Sequence, residues 1–231
     1  MLKDLDCDSV LKKNSSVILP YEVTEEFYIE CLGEIKKKSY YDFFKRVFDI
    51  VASVIALIIL LVPMIVLAIA IKCASKGPVL YFQDRLGLNG KTIRIVKFRT
   101  MHPNSEENGA QWSVGDEDPR IFSLGRILRK CRADELPQLW CILKGDLSFV
   151  GPRPERECFH NEFEKYIHGF GERLKVKQGL TGYAQIMGGY DLKPEEKILY
   201  DIEYIKNRSF LLDMKIILKT VGVVFKREGA K

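Results

Sequence analysis

Residues 50–71 read IVASVIALIILLVPMIVLAIAI, 22 successive positions without a formal charge. At ~1.5 Å per residue, a straight helix of that length just crosses a bilayer core of ~30 Å. The run admits three arrangements: a transmembrane span, a hairpin entering and leaving by one leaflet, or a core helix of a soluble body. The last suits 22 uncharged residues least. Pro63 falls past the midpoint, where it removes a backbone hydrogen bond and crowds the preceding turn, and so predicts a kink. Lys45 and Arg46 precede the run and Lys72 and Lys76 follow it, so the charge bias gives a span no orientation. A re-entrant, kinked helix accommodates both features and is the arrangement expected, with both termini on the cytoplasmic side.

The flanks support a membrane surface. Tyr40, Tyr41, Phe43, Phe44 and Phe48 are mixed with Lys45 and Arg46, a composition suited to the headgroup layer and also to a plain amphipathic lead-in helix. Residues 1–40 show no apolar segment after a basic start, so no secretory signal is visible. Within them a short strand is expected at 17–20 and a mixed-charge helix over 22–38. The reading divides the chain into an extension of unassigned role (1–40), a membrane-inserted segment (41–77) and a body (78–231).

In the body, 79–82 and 92–98 are rich in strand formers, and Asn89–Gly90 supplies a hairpin turn. No phosphate-cradling G-x-x-x-x-G-K-[ST] accompanies these glycines, which read as turn chemistry. Lys97 and Arg99 alternate with Ile95, Val96 and Phe98, giving a basic edge for an anionic pocket or a solvated strand face. A long polar loop follows over 102–119. Then Ile121, Leu124, Ile127 and Leu128 mark the apolar face of a helix that carries Arg129 and Arg132 forward. Residues 155–174 read as an amphipathic helix, and 179–189 as a glycine-rich loop packed close to something. Pro194 opens a helix to about residue 206, and Ser209 caps another reaching 225. In that last helix Lys215, Lys219 and Lys226 accompany Leu211, Leu212, Ile216, Val223 and Phe225, a pattern for an anionic membrane surface or for an ordinary core-facing helix. The fold class expected is α+β, membrane-anchored through the re-entrant helix, with a small β-hairpin and several amphipathic helices on the membrane surface.

Residues 129–154, RKCRADELPQLWCILKGDLSFVGPRP, concentrate the chemistry. Asp134 and Glu135 stand between a basic cluster and a short apolar helix. Leu136, Leu139, Trp140 and Leu143 give that helix one buried face, Pro137 fits its first turn, and Gly145 stops it. Asp134 thus falls at or beside a helix N-terminus, where it is either an ordinary N-cap or a carboxylate inside a phosphate site. Arg153, held between Pro152 and Pro154, aims one planar fork that suits phosphate oxygens.

DELPQLW at 134–140, KGDLSFVGPRP at 144–154, VKFRTM at 96–101 and LTGYAQ at 180–185 occur in the order found in the bacterial sugar transferases. The chain from Tyr41 onward resembles those monotopic polyprenyl-phosphate phosphoglycosyl transferases. It departs from their pattern at Val62, where a serine often precedes the proline, and at Met187-Gly188-Gly189, where Asn-Gly-Arg is common. The resemblance implies transfer of a sugar 1-phosphate from a UDP-sugar to undecaprenyl phosphate, with UMP released. This would be the first membrane step of exopolysaccharide, capsule or glycan assembly. It implies Asp134 as the nucleophile forming a covalent aspartyl-phosphosugar intermediate and Glu135 at or beside a Mg²⁺ ion. Arg129, Arg153, Lys97 and Arg99 are implied as substrate-phosphate ligands. The expected location is the bacterial inner membrane, with the catalytic body facing the cytoplasm.

Other classes fit less well. The net charge is +5, and the stretch 72–99 holds seven Lys or Arg against Asp84 alone. A nucleic-acid binder would use that patch, but no helix-turn-helix or aromatic RNA-binding signature accompanies it, and no nucleic acid is expected as a partner. A transporter needs more membrane passes than one hairpin supplies. A non-catalytic assembly protein of a polysaccharide machine would keep the anchor and have no need of paired carboxylates. Six cysteines without a C-x-x-C pair and three scattered histidines give no legible disulfide framework or zinc site.

Overall fold

The computed structural model describes residues 23, 25–35, 38–106, 118–188 and 192–226. A two-residue strand, β1 (Phe27–Tyr28), comes before a long helix, α1 (Ser39–Ala74), which contains the whole apolar run and continues through Pro63. By length and composition α1 can cross a membrane, and only 6% of its most apolar window is buried, so it is not a soluble core helix. One stripe of α1 docks along the body. Asp49 and Ser53 are buried, Ala56, Leu57 and Leu60 pack on one core cluster, Met64, Leu67 and Ala68 on a second, and Ile71 is fully enclosed. Steps of three or four residues keep that stripe on one helix face. Ile55, Ile58, Ile59, Val62, Ile65, Val66 and Ile69 lie on the other side, each at least half exposed.

Polar contacts tie α1 to the body. Lys45 pairs with Asp213 at 2.6 Å, and Tyr41 donates to the same carboxylate. Arg46 donates to the Ile142 and Leu143 carbonyls at 2.7 Å each, adding side-chain donors at the C-terminus of a helix. Asp49 Oδ1 accepts from Phe149 N–H at 3.0 Å and Ser148 Oγ at 3.2 Å. Lys45 and Arg46, expected to meet lipid headgroups, are therefore committed to the protein.

The hairpin is β2 (Leu80–Leu86) against β3 (Thr92–Phe98), antiparallel from Leu80↔Phe98 to Leu86↔Thr92. Its turn places Asn89 at φ 55° and Gly90 at φ 74°, the left-handed geometry that an Asn-Gly pair adopts cheaply. Helix α2 (Ser123–Lys130) leads into a single 3₁₀ turn, Ala133–Glu135, and then α3 (Gln138–Lys144), which Gly145 ends. Leu139, Cys141 and Ile142 of α3 join Ile93, Ile95, Leu147 and the α1 stripe in one cluster. Trp140, expected on the buried face, is 59% exposed. The helix starts at Gln138 and is enclosed by β3 and α1 together, so Gln138, Leu139, Cys141 and Ile142 point inward instead.

The remaining elements are β4 (Ser148–Val150), α4 (Glu157–Glu164), β5 (Ile167–His168), β6 (Gly179–Thr181), α5 (Tyr183–Met187), α6 (Pro194–Asn207) and α7 (Phe210–Lys226). The single helix expected over 155–174 is thus a helix, a strand and a 3₁₀ segment, divided near Gly169 at φ 91°. Strand β5 pairs in parallel with β1, Phe27↔Ile167 and Tyr28↔His168. The mixed-charge helix expected over 22–38 is accordingly absent from its described residues. Pairing with β5 satisfies that backbone, while Phe27, Ile29, Leu32 and Ile35 lean on the largest core cluster, around Phe163, Ile167, Phe170, Ile198 and Ile205. The strand expected at 17–20 and most of the 102–119 loop lie outside the described residues. Helix α7 answers to both readings of its sequence: Ile216 is fully buried, whereas Leu211, Leu218 and Val221 are exposed.

Strands β4 and β6 run parallel, Ser148↔Gly179 and Val150↔Thr181. Just beyond, the chains almost touch. A Cβ on Gly151 would stand 2.3 Å from the Lys177 carbonyl oxygen, and one on Gly179 would stand 2.1 Å from the Gly151 nitrogen. Only glycine permits that approach, and the crossing fixes where the Pro152-Arg153-Pro154 segment leaves the sheet.

Candidate active site

Four elements converge on the acidic pair. β3 supplies Lys97, the end of α2 supplies Arg129, the 3₁₀ turn holds Asp134 and Glu135, and the extended segment after β4 supplies Arg153. Entry to the turn is through Arg132, which takes the left-handed conformation at φ 54°, ψ 19°. A non-glycine residue there costs about 1 kcal/mol or more, and such strain collects at functional sites.

The two carboxylates are both buried but have unlike surroundings. Glu135 Oε1 takes Arg153 Nη2 at 2.6 Å and Lys97 Nζ at 3.0 Å, and Oε2 lies 4.0 Å from Arg132 Nη1. Burial opposes its charge, yet Arg153 and Lys97 overcome that and hold its carboxyl well below the usual range. Asp134 is 8% exposed and makes no hydrogen bond or ion pair with another described residue. Burial and then the neighbouring negative charge of Glu135 push its carboxyl up, against the fields of Lys97, Arg129 and Arg153.

This geometry removes one of the two readings of Asp134. No side-chain cap bond is made at the 3₁₀ turn or at α3, whose N-cap position is Pro137. Asp134 is not an N-cap. Nor does a helix terminus supply the local positive field, because α3 begins only at Gln138; the cationic side chains supply it.

Lys97 and Arg153 are thus brought directly to the pair. Arg129 contributes its field to Asp134, and its Nε donates to Thr100 Oγ1 at 2.9 Å. Arg99 is not brought there. It is 5% exposed, and its guanidinium donates to the Ser75 hydroxyl and carbonyl and to the Pro78 and Met101 carbonyls, over the Phe122 ring. It clamps the end of α1 to the hairpin. Arg153 is itself braced: Arg173 donates to its carbonyl at 3.0 Å while pairing with Asp201 at 2.7 Å.

A cleft beside the pair is lined by Arg85, Ile95, Lys97, Gln138, Arg153 and Pro154. Arg85 and Gln138 escaped sequence analysis. Gln138 had a legible signal, as an amide among the apolar residues of a short helix, four positions after Asp134. Its Nε2 is buried and finds no acceptor among the described residues, a situation that costs about 1–3 kcal/mol. A larger, apolar cavity of about 650 Å³ lies between Tyr40, Phe44, Phe48, Val51 and Phe210 and shares no lining residue with this cleft.

No group of three or more His, Cys, Asp or Glu side chains suited to a metal occurs among the described residues. Magnesium, however, is commonly held by one or two carboxylates plus substrate phosphates rather than by an all-protein cage. Glu135 could offer such an ion one carboxylate, which it would share with Arg153 and Lys97. With four cations around two carboxylates, the site as a whole suits an anionic ligand of two or more charges.

A sequence profile described as "Bacterial sugar transferase" matches residues 40–227. A UDP-N-acetylgalactosamine-undecaprenyl-phosphate N-acetylgalactosaminephosphotransferase of Aeromonas hydrophila is 41% identical over 203 residues, covering 87% of this chain and 48% of that protein. The UDP-glucose:undecaprenyl-phosphate glucose-1-phosphate transferase of Caulobacter vibrioides is 40% identical over 197 residues, 82% of this chain and 72% of its own. An undecaprenyl-phosphate galactose phosphotransferase of Salmonella typhimurium is 39% identical over 202 residues, 81% and 42% respectively. Beside the first of these the chain spans about half the relative's length. With the profile covering α1, the hairpin and every residue of the acidic site, the chain belongs to the bacterial sugar transferase family.

Proposed function

We propose that the protein transfers a sugar 1-phosphate from a UDP-sugar to undecaprenyl phosphate, releasing UMP, through a covalent intermediate on Asp134. The observation that carries this reading is the division of labour in the acidic pair. A buried carboxylate without a hydrogen-bond partner among the described residues keeps its lone pairs available and its basicity high, as a nucleophile requires, while its neighbour is neutralised by Lys97 and Arg153.

In the first step an Asp134 oxygen attacks the sugar-linked phosphorus. The new O–P bond forms as the bond to the bridging oxygen breaks, and UMP departs with that oxygen and its electron pair. In the second, an oxygen of the lipid phosphate attacks the same phosphorus and Asp134 leaves as a carboxylate, giving the diphosphate-linked sugar lipid. Two anions must approach in each step, so charge has to be offset. Lys97, Arg129 and Arg153 offset it, and Glu135 holds Lys97 and Arg153 in place between turnovers. A Mg²⁺ ion held by Glu135 and the substrate diphosphate would add to that neutralisation.

The lipid substrate calls for a body resting on a membrane. Packing of α1 along one body, from Lys45 to Ile71, with its other face apolar and exposed, supports a re-entrant helix rather than a span. Exposed Trp140, Leu211, Leu218 and Val221 support further contact with the bilayer surface. The location proposed is the cytoplasmic face of the bacterial inner membrane, at the first membrane step of exopolysaccharide, capsule or glycan assembly.

Purified protein, undecaprenyl phosphate and a panel of UDP-glucose, UDP-galactose and UDP-N-acetylgalactosamine test the proposal, with UMP release as the readout. With nucleotide sugar alone, up to one equivalent of UMP should appear, and the sugar phosphate should remain on the peptide spanning Arg132 to Lys144. Release that strictly requires the lipid would replace the covalent route by direct attack of the lipid phosphate.

A further inference from the structure

Among the groups lining the cleft, Arg85 donates to Gln83 and to the Pro154 carbonyl, and Lys97 and Arg153 both reach Glu135. Gln138 differs. The residue is 3% exposed, and Nε2 has no acceptor among the described residues. Native proteins leave few buried donors in that state, and each one calls for an explanation. Arg85, Lys97 and Arg153 line the same small cleft as Gln138, so an acceptor carrying negative charge suits the position best. Its place four residues after Asp134, in the helix following the 3₁₀ turn, sets it on the same cleft as the groups that hold Glu135.

We propose that Gln138 is a substrate-contacting residue whose Nε2 donates a hydrogen bond to a non-bridging diphosphate oxygen of the nucleotide sugar. The inference rests on the transferase reading above and deepens it. The amide adds a directional contact to the charge of the three cations, and so fixes how the diphosphate lies relative to Asp134.

The test is Gln138→Met, which keeps the length and shape of the side chain and removes its amide. Thermal unfolding without ligand and steady-state UMP release are measured on the full chain with undecaprenyl phosphate. Loss of a hydrogen bond to a charged acceptor should raise KM for the UDP-sugar, or lower kcat/KM, by about tenfold or more, while unliganded Tm stays level or rises because no bond of the free protein is lost. A structural amide gives the reverse, a lower Tm with unchanged kinetic constants, and that result overturns the inference. Should Gln138→Met fail to fold, Gln138→Asn decides. It withdraws the amide by one methylene, so a raised KM with normal unfolding supports the contact and an unchanged KM removes it. A wild-type protein that releases no UMP from any UDP-sugar of the panel removes the transferase reading itself. An active wild type matched by Gln138→Met removes only the role of Gln138.

Discussion

Replacing Asp134 by Asn separates what this residue costs the fold from what it gives the reaction. A carboxyl displaced from 3.8 to about 6 carries about 3 kcal/mol of destabilisation once ionised. Because part of that penalty belongs to its interaction with Glu135, about 1–3 kcal/mol is the range expected for the single substitution. The sign follows from linkage. Below pH 3.8 the group is protonated in both folded and unfolded chains and costs nothing. Between about 4 and 6 the folded state binds more proton than the unfolded state, so stability falls as pH rises. Above about 6 the cost is complete. An amide of the same shape avoids it. Asp134→Asn should therefore melt higher than wild type by several degrees at pH 8, at roughly 2–4 °C per kcal/mol for a chain of this size. The difference should shrink towards zero near pH 4. UMP release should fall by about 10³-fold or more, as for removal of other catalytic nucleophiles. Paired melting curves at pH 4.5, 6 and 8, with single-turnover UMP release at pH 8, make the comparison. A variant that melts lower at pH 8, or that keeps turning over, would show that Asp134 stabilises the fold or is dispensable, and the nucleophile reading would be wrong.

Three further outcomes are expected. Arg153→Lys should lower kcat/KM by about 10–100-fold, because an ammonium cannot reproduce the planar fork that Pro152 and Pro154 present to Glu135; near wild-type turnover would make Arg153 structural. Single cysteines at positions 40 and 80, in a background without the native cysteines, should label from the same side of sealed vesicles, since α1 docks on one body along its length; labelling from opposite sides would establish a true span. His160, packed on Phe170 at a ring separation of 5.3 Å, is held to about 4 by burial and by Arg173. An unfolded chain gains its proton near 6.5, so the neutral folded form loses stability as pH drops from about 6.5 towards 4. Allowing for solvent screening, about 1–2 kcal/mol is involved, and urea unfolding of His160→Phe should show a weaker dependence over that window; parallel curves for the two proteins would refute it.

Features set by short-range rules were legible from the amino-acid sequence. The uncharged run was legible as an apolar helical segment, Asn89–Gly90 could turn a hairpin because both residues tolerate positive φ, and Gly145 and Pro194 bounded helices through the backbone freedoms they lack or possess. The family resemblance grouped Asp134, Glu135, Lys97, Arg99, Arg129 and Arg153, and all but Arg99 lie near one another in the fold. Other features depended on which surfaces meet. Lys97 and Arg99 share a strand face by their period of two, yet Lys97 reaches Glu135 while Arg99, beyond the end of the strand, is taken up by carbonyls at the end of α1. Heptad-like spacing put Trp140 inside, but only the positions of β3 and α1 decide which side of a seven-residue helix is enclosed. The pairing of β1 with β5 joins segments about 140 residues apart, each too short to show a periodicity. The unlike states of Asp134 and Glu135, adjacent and chemically near-identical, arise only in the folded chain. Charge and hydrogen-bond partners arrive through space from β3, α2 and the Gly151 crossing, and no local pattern encodes which of two neighbouring carboxylates they will reach.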